Sequence, residues 1–158
     1  MSDSTSAPTG APQGAEPDGD VAVGPVSLDQ VIETMAALGV TLERTDADMA
    51  GANLNGYTVT FATIGGTVLI VRADHHTEER VDAGNPAQFL ACNHYNAMSH
   101  AGKATVVDRT EHLIVRLEEE IFLAAGLSPE QLRTRLRSAV DTVLLGQDTV
   151  GHIVSTII

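Results

Sequence analysis

The chain has one thiol, Cys92, and an imidazole follows it at His94. A thiolate beside a histidine is the least that nucleophilic catalysis needs. On a helix, residues two apart point about 200° away from each other. The pair cannot form locally, and Cys92 reads as a small apolar core residue. His75, His76, His94 and His100, with Asp74 or Glu78, supply the donor types of a metal site. Two are adjacent in a charged stretch, which is ordinary surface composition. His94 and His100 lack the three- or four-residue spacing that puts two ligands on one helix face. His112 and His152 are isolated. The triplet Glu118-Glu119-Glu120 suggests paired carboxylates. Adjacent strand residues point to opposite faces, so only Glu118 and Glu120 can be neighbours. With no second acidic strand, the triplet reads as a solvated charged edge that discourages strand addition. A phosphate-binding glycine loop, a Gly-x-Ser-x-Gly elbow and a paired-cysteine zinc motif are all missing from the sequence. The expectation is no catalytic residue, no metal and no cofactor. The alternative is a small-ligand or metal site built from the histidines of the 74–100 region.

Charge narrows the partner classes. The net charge is −12, and Lys103 is the one lysine. Such a field repels phosphate backbones and anionic lipid, so nucleic acid and membrane are not expected partners. It keeps the chain soluble, and it would attract a basic protein. Residues 1–25 contain Ser, Thr, Ala, Pro, Gly and acids, with no Lys, Arg or aromatic residue. That composition cannot offset the entropy of ordering, and it reads as a disordered acidic tail before a domain over 26–158. Neither a secretory signal pattern nor an apolar run of about 20 residues is found. A lone cysteine makes no internal disulfide. These features place the chain in the cytoplasm.

The elements that must position any site are marked by three helix starts of one type. Ser27 is followed by Gln30, Asn85 by Pro86 and Gln88, and Ser128 by Pro129 and Gln131. Each first residue can accept from an orphan amide while the glutamine reaches back, and proline suits the first helical position. Helix one runs from Leu28 to Leu38, with Leu28, Val31, Ile32, Met35 and Leu38 as its stripe and Gly39 as its end. A strand is expected from Val40 to Thr45, and a loop from Asp46 to Gly56. Tyr57–Ala62 alternates as a strand. Gly65-Gly66 suits a hairpin, and Thr67–Ala73 is nearly continuously apolar, as in mid-sheet. A charged loop is expected over 74–84. Helix two runs from Pro86 to about His100. Its Asn93 and Asn96 are mediocre helix formers, so they are exposed, bond nearby backbone, organise a loop or contact a partner. Lys103–Val107 and His112–Leu123 follow as strands. Helix three starts after Ser128 and buries Leu132, Leu136, Ala139, Val140, Val143 and Leu144, with Gly146 weakening its continuation. The apolar end Ile153, Val154, Ile157 and Ile158 needs cover from its own domain or another chain.

This order, with certain residues, resembles the YbjN family of small bacterial proteins, described as sensory-transduction regulators. The resemblance spans Val26 to about Ile153. It rests on the opening helix Ser27-Leu28-Asp29-Gln30-Val31 leading to Gly39, and on Asn93-His94-Tyr95-Asn96. It rests also on the following strand Lys103-Ala104-Thr105-Val106, and on the junction Gly126-Leu127-Ser128-Pro129-Glu130-Gln131-Leu132. The aromatic here is Tyr95, where many relatives carry tryptophan. The resemblance implies the fold of type III secretion chaperones, α-β-β-β-α-β-β-α, and a non-enzymatic protein that binds other proteins as a homodimer. The expected fold class is therefore α+β, one antiparallel sheet with helices packed on it. The expected partner-binding residues are Asn93, Tyr95 and Asn96.

Overall fold

The computed structural model describes residues 22–157, so the expected tail lies outside the described residues except for its last four. Its elements are α1 (Leu28–Ala37), β1 (Glu43–Asp46), β2 (Met49–Leu54), β3 (Tyr57–Ile64), β4 (Val68–Arg80), α2 (Ala87–Met98), β5 (Lys103–Val107), β6 (His112–Phe122) and α3 (Pro129–Ile157). All strand pairs are antiparallel, in the order β1-β2-β3-β4-β6-β5. The fold is α+β, with three helices laid against one six-stranded sheet.

The helix starts form as their sequences require. Ser27 accepts from the Gln30 amide, and Gln30 Oε1 accepts from the Ser27 amide at 2.8 Å. Ser128 and Gln131 repeat this box at α3. At α2 the box is half made: Asn85 Oδ1 accepts from the Ala87 amide at 3.0 Å, and Pro86 is the flanking residue.

Four features differ from the sequence reading. β1 begins three residues later than expected. The expected loop over 46–56 contains β2, so the strand block before α2 has one more member. The expected loop over 74–84 is largely β4, which continues to Arg80 along β6. Gly146 does not interrupt α3, which continues to Ile157.

Alternation assigns the two sheet faces. Ala50, Val59, Phe61, Leu69, Val71, Ala73, Ala104, Val115 and Leu117 share the face beneath the helices and are buried. α3 crosses this face over β4 and β6, with α1 and α2 beside it. Two residues fix its approach. A side chain at Gly146 would lie 2.8 Å from Leu117 Cδ1 and 2.9 Å from the Tyr95 hydroxyl, so only glycine permits this closeness. The next residue, Gln147, is buried and donates through Nε2 to the Ala73 and Val115 carbonyls at 2.7 and 2.9 Å. Tyr57 adds a third tie, donating to Asp148 Oδ1 at 2.8 Å. Burial and this contact push the Tyr57 hydroxyl up to about 12.

One substitution in one helix should therefore give opposite signs at two positions. Gly146→Ala drives a methyl into Leu117 and Tyr95 and should destabilise by about 1–3 kcal/mol. Gly151→Ala meets nothing within 4 Å and should stabilise by up to about 1 kcal/mol through helix propensity. Urea unfolding of the two variants checks both signs.

Candidate functional site

The residues singled out on helix two surround the junction from α2 to β5. Asn96 Nδ2 donates to the Ala104 carbonyl, and the Ala104 amide donates to Asn96 Oδ1, both at 2.8 Å. One side chain thus satisfies both backbone groups of an edge-strand residue, as a neighbouring strand would. Tyr95 is buried, and its hydroxyl donates to the Ala101 carbonyl at 3.1 Å. The Ser99 hydroxyl donates to the same carbonyl at 2.6 Å. Glu119 accepts from the Gly102 amide at 2.6 Å. Asn93 is exposed. Of the three expected partner residues, two spend their polar atoms on their own chain and one faces outward.

Around Asn93 and His94, both exposed, the outer face of α2 is apolar. Phe89, Leu90 and Met98 are 43%, 49% and 56% exposed, and Leu145 of α3 beside Met98 is 69% exposed. At a helical repeat of 3.6, the exposed residues Phe89, Leu90, Asn93, His94, Ala97 and Met98 fall within one half of the circumference. In the opposite half Ala91, Cys92 and Tyr95 are packed inward, and Ala87 in the first turn is buried as well. Tyr95, Met98, Ala101, Thr142, Leu145 and Gly146 line a shallow depression of about 340 Å³ between α2 and α3.

The chemical candidates separate in space. Cys92 is buried, and burial raises its thiol to about 11, the opposite of what a thiolate nucleophile requires. His75 is exposed and meets Tyr57 edge-on, with ring centroids 5.8 Å apart. His76 lines a different depression with Glu78, Glu111 and His112, without His94 or His100. Among the described residues, no three His, Cys, Asp or Glu side chains are grouped to hold a metal ion. The glutamate triplet is corrected in one respect. β6 lies between β4 and β5 and is not an edge. Glu118 accepts from Arg72 Nε at 2.7 Å, Glu119 holds the Gly102 amide, and Glu120 is exposed. Sequence reading missed Glu119 and Gln147 as structural ties. An acid interrupting an apolar strand face was the signal for the first. Gln147 gave none.

The sequence matches the family model YbjN, described as "Putative bacterial sensory transduction regulator", over residues 27–151. The chain belongs to the YbjN family. Among solved structures it is similar to YbjN from E. coli, a "putative transcription regulator", with a TM-score of 0.65 at 16% identity. That match covers 79% of this chain and 91% of the other. Type III secretion chaperones are also similar. SycH of Yersinia pestis, in complex with a fragment of YscM2, has a TM-score of 0.45 at 16% identity, covering 74% of this chain and 96% of that one. The chaperone in the HopA1-SchA complex structure has a TM-score of 0.42 at 11% identity, covering 73% and 98%. No curated protein matches the sequence.

Two outcomes test this description of the junction. Asn96→Ala strands both backbone groups of Ala104. It should cost about 1–3 kcal/mol and speed exchange of the Ala104 amide in native-state hydrogen exchange. For Cys92, the fold holds the proton more tightly than the unfolded chain does. Its contribution is complete below about 9 and is lost as pH rises toward about 11. Urea midpoints should fall across that window, and Cys92→Ala should flatten the onset of the decline.

Proposed function

We propose that this YbjN-family chain is a non-enzymatic protein-binding domain of the bacterial cytoplasm, chaperone-like or regulatory, that works as a homodimer. The observation carrying this reading is the exposed apolar face of α2. It holds Phe89, Leu90 and Met98, is continued by Leu145, and has Asn93 and His94 among them. A helix packed on one side and apolar on the other is a surface awaiting a protein.

The magnitudes support a second copy on this face. A fully buried Leu, Phe or Met contributes about 1.5–3 kcal/mol. A two-fold seam uses each of these four residues twice, and at half that burial the total reaches about 6–12 kcal/mol. Association costs about 4–15 kcal/mol, so the seam suffices for a dimer only with most of the face used. Asn93 supplies the directional polar contact there. Tyr95 and Asn96 serve the same surface from beneath, by fixing the junction on which it rests. The family description as a regulator agrees with a role exercised through contact.

Leu90→Glu and Met98→Glu place charge in the seam at positions already half in water, so the fold should be retained. Sedimentation velocity should show the dimer of the parent chain replaced by monomer, with association weakened at least about 100-fold. A parent chain that sediments as a monomer at submillimolar concentration would sink the proposal.

A further inference from the structure

The sheet has helices on one face only, and its other face is divided in two. Over the middle of β4 and β6 it is ionic and internally paired. Arg72 bonds Glu118, and Arg116 grips Asp74 through two hydrogen bonds of 2.8 Å. Toward one end it is apolar. Register places Met49 beside Ala62, Ala62 beside Ile70, Ile64 beside Val68 and Val68 beside Phe122. These side chains point away from the helices. Phe122 is 73% exposed and Ile64 54%. An open sheet face in water is ordinarily polar, and a contiguous apolar patch marks a contact site.

One charge sits inside this patch. Glu120 lies opposite Ile70 and two residues from Phe122 on the same face. Its neighbours Arg72 and Glu118 are occupied with each other. Glu120 is exposed and makes no ion pair among the described residues. In a symmetric seam on this face, a second copy of this chain would set its own Glu120 against this one.

We propose that this end of the helix-free face binds a cationic amphipathic helix of another protein, which supplies the layer the sheet lacks. Its apolar stripe covers Phe122, Ile64 and Ile70, and one of its Lys or Arg residues meets Glu120. The dimensions agree. The patch crosses β2, β3, β4 and β6, three strand spacings or about 14 Å, and a helix of about 10–12 residues is about 15–18 Å long. The acidic field of the whole chain steers a basic segment toward it. This inference rests on the protein-binding reading but uses a surface on the opposite side of the sheet from α2.

The test uses two synthetic amphipathic peptides of about 12 residues, one of Leu and Lys and one of Leu and Glu. Binding to the full chain is followed at low salt by fluorescence anisotropy. The Lys peptide should bind and the Glu peptide should not. Phe122→Ser should weaken binding at least tenfold, with an unchanged circular dichroism spectrum because the ring is largely in water. Glu120→Lys should weaken the Lys peptide about tenfold and admit the Glu peptide. Equal binding of both peptides, or indifference to both substitutions, overturns the proposal. If Phe122→Ser instead abolishes self-association of the free chain, the occupant is a second copy and the proposal is equally overturned. Loss of peptide binding in Leu90→Glu, with none in Phe122→Ser, would move the site to α2 and leave the protein-binding reading intact.

Discussion

The close passage of α3 over β4 and β6 is the constraint on which the other features depend. It buries the inward faces of the two longest strands. It is possible because Gly146 presents no side chain to Leu117 and Tyr95. The approach leaves the next residue no choice but to enter the core. Gln147 is tolerated there because two sheet carbonyls accept its amide hydrogens. Tyr95 then has a fixed floor, and with it α2 and its outer face. The candidate contact surface thus depends on the packing of one glycine against Leu117 and Tyr95.

Electrostatics divide the molecule in a way that net charge alone does not reveal. The chain is strongly acidic, yet much of its cationic complement is committed internally. Arg72 and Arg116 neutralise acids on the open sheet face, Arg44 reaches Asp29, and Arg80 holds Asp82 and Glu111. The pairs on the sheet are partly buried and bidentate in one case, so they position side chains more firmly than exposed pairs do. The outward pairs contribute little. Pairing in the middle of the open face leaves Glu120, between the Arg72–Glu118 pair and Phe122, without an ion-pair partner among the described residues.

What the sequence made legible follows from how local each cause is. The boxes at Ser27 and Ser128 are completed within four residues, and both form as read. Gly65 and Gly66 take the positive φ of the hairpin, at 57° and 67°. β2 was hidden because Met49–Leu54 has no β-branched residue and contains Gly51. That glycine sits where a side chain would meet the Val59 carbonyl at 2.8 Å, so a pairing constraint from the next strand resembles a turn signal. The far half of β4 was hidden for a related reason. His75–Arg80 is charged because it extends past the start of β3, and β6 alone pairs with it. At the candidate site, Asn93 and Asn96 lie three residues apart on α2. Which amide faces inward was illegible, because Asn96 finds its partner only once β5 has folded back beside α2.

The edges of the sheet are poor places for strand addition. Strand addition needs an open row of backbone donors and acceptors. At one edge, β5 has that row met at Ala104 by Asn96 and lies beside α2. At the other, β1 is four residues long, every one exposed, with Glu43, Arg44 and Asp46 among them and a shift of register before Asp46. Short, charged and irregular strands are poor templates for pairing. The two ends of the sheet are thus closed by different means, and the surfaces proposed for contact, the outer side of α2 and the apolar end of the helix-free face, are faces and not edges. Because they lie on opposite sides of the sheet, occupation of one does not obstruct the other. A dimer seated on α2 would carry two open faces, and two linked faces raise the effective concentration of any partner that bears two matching segments.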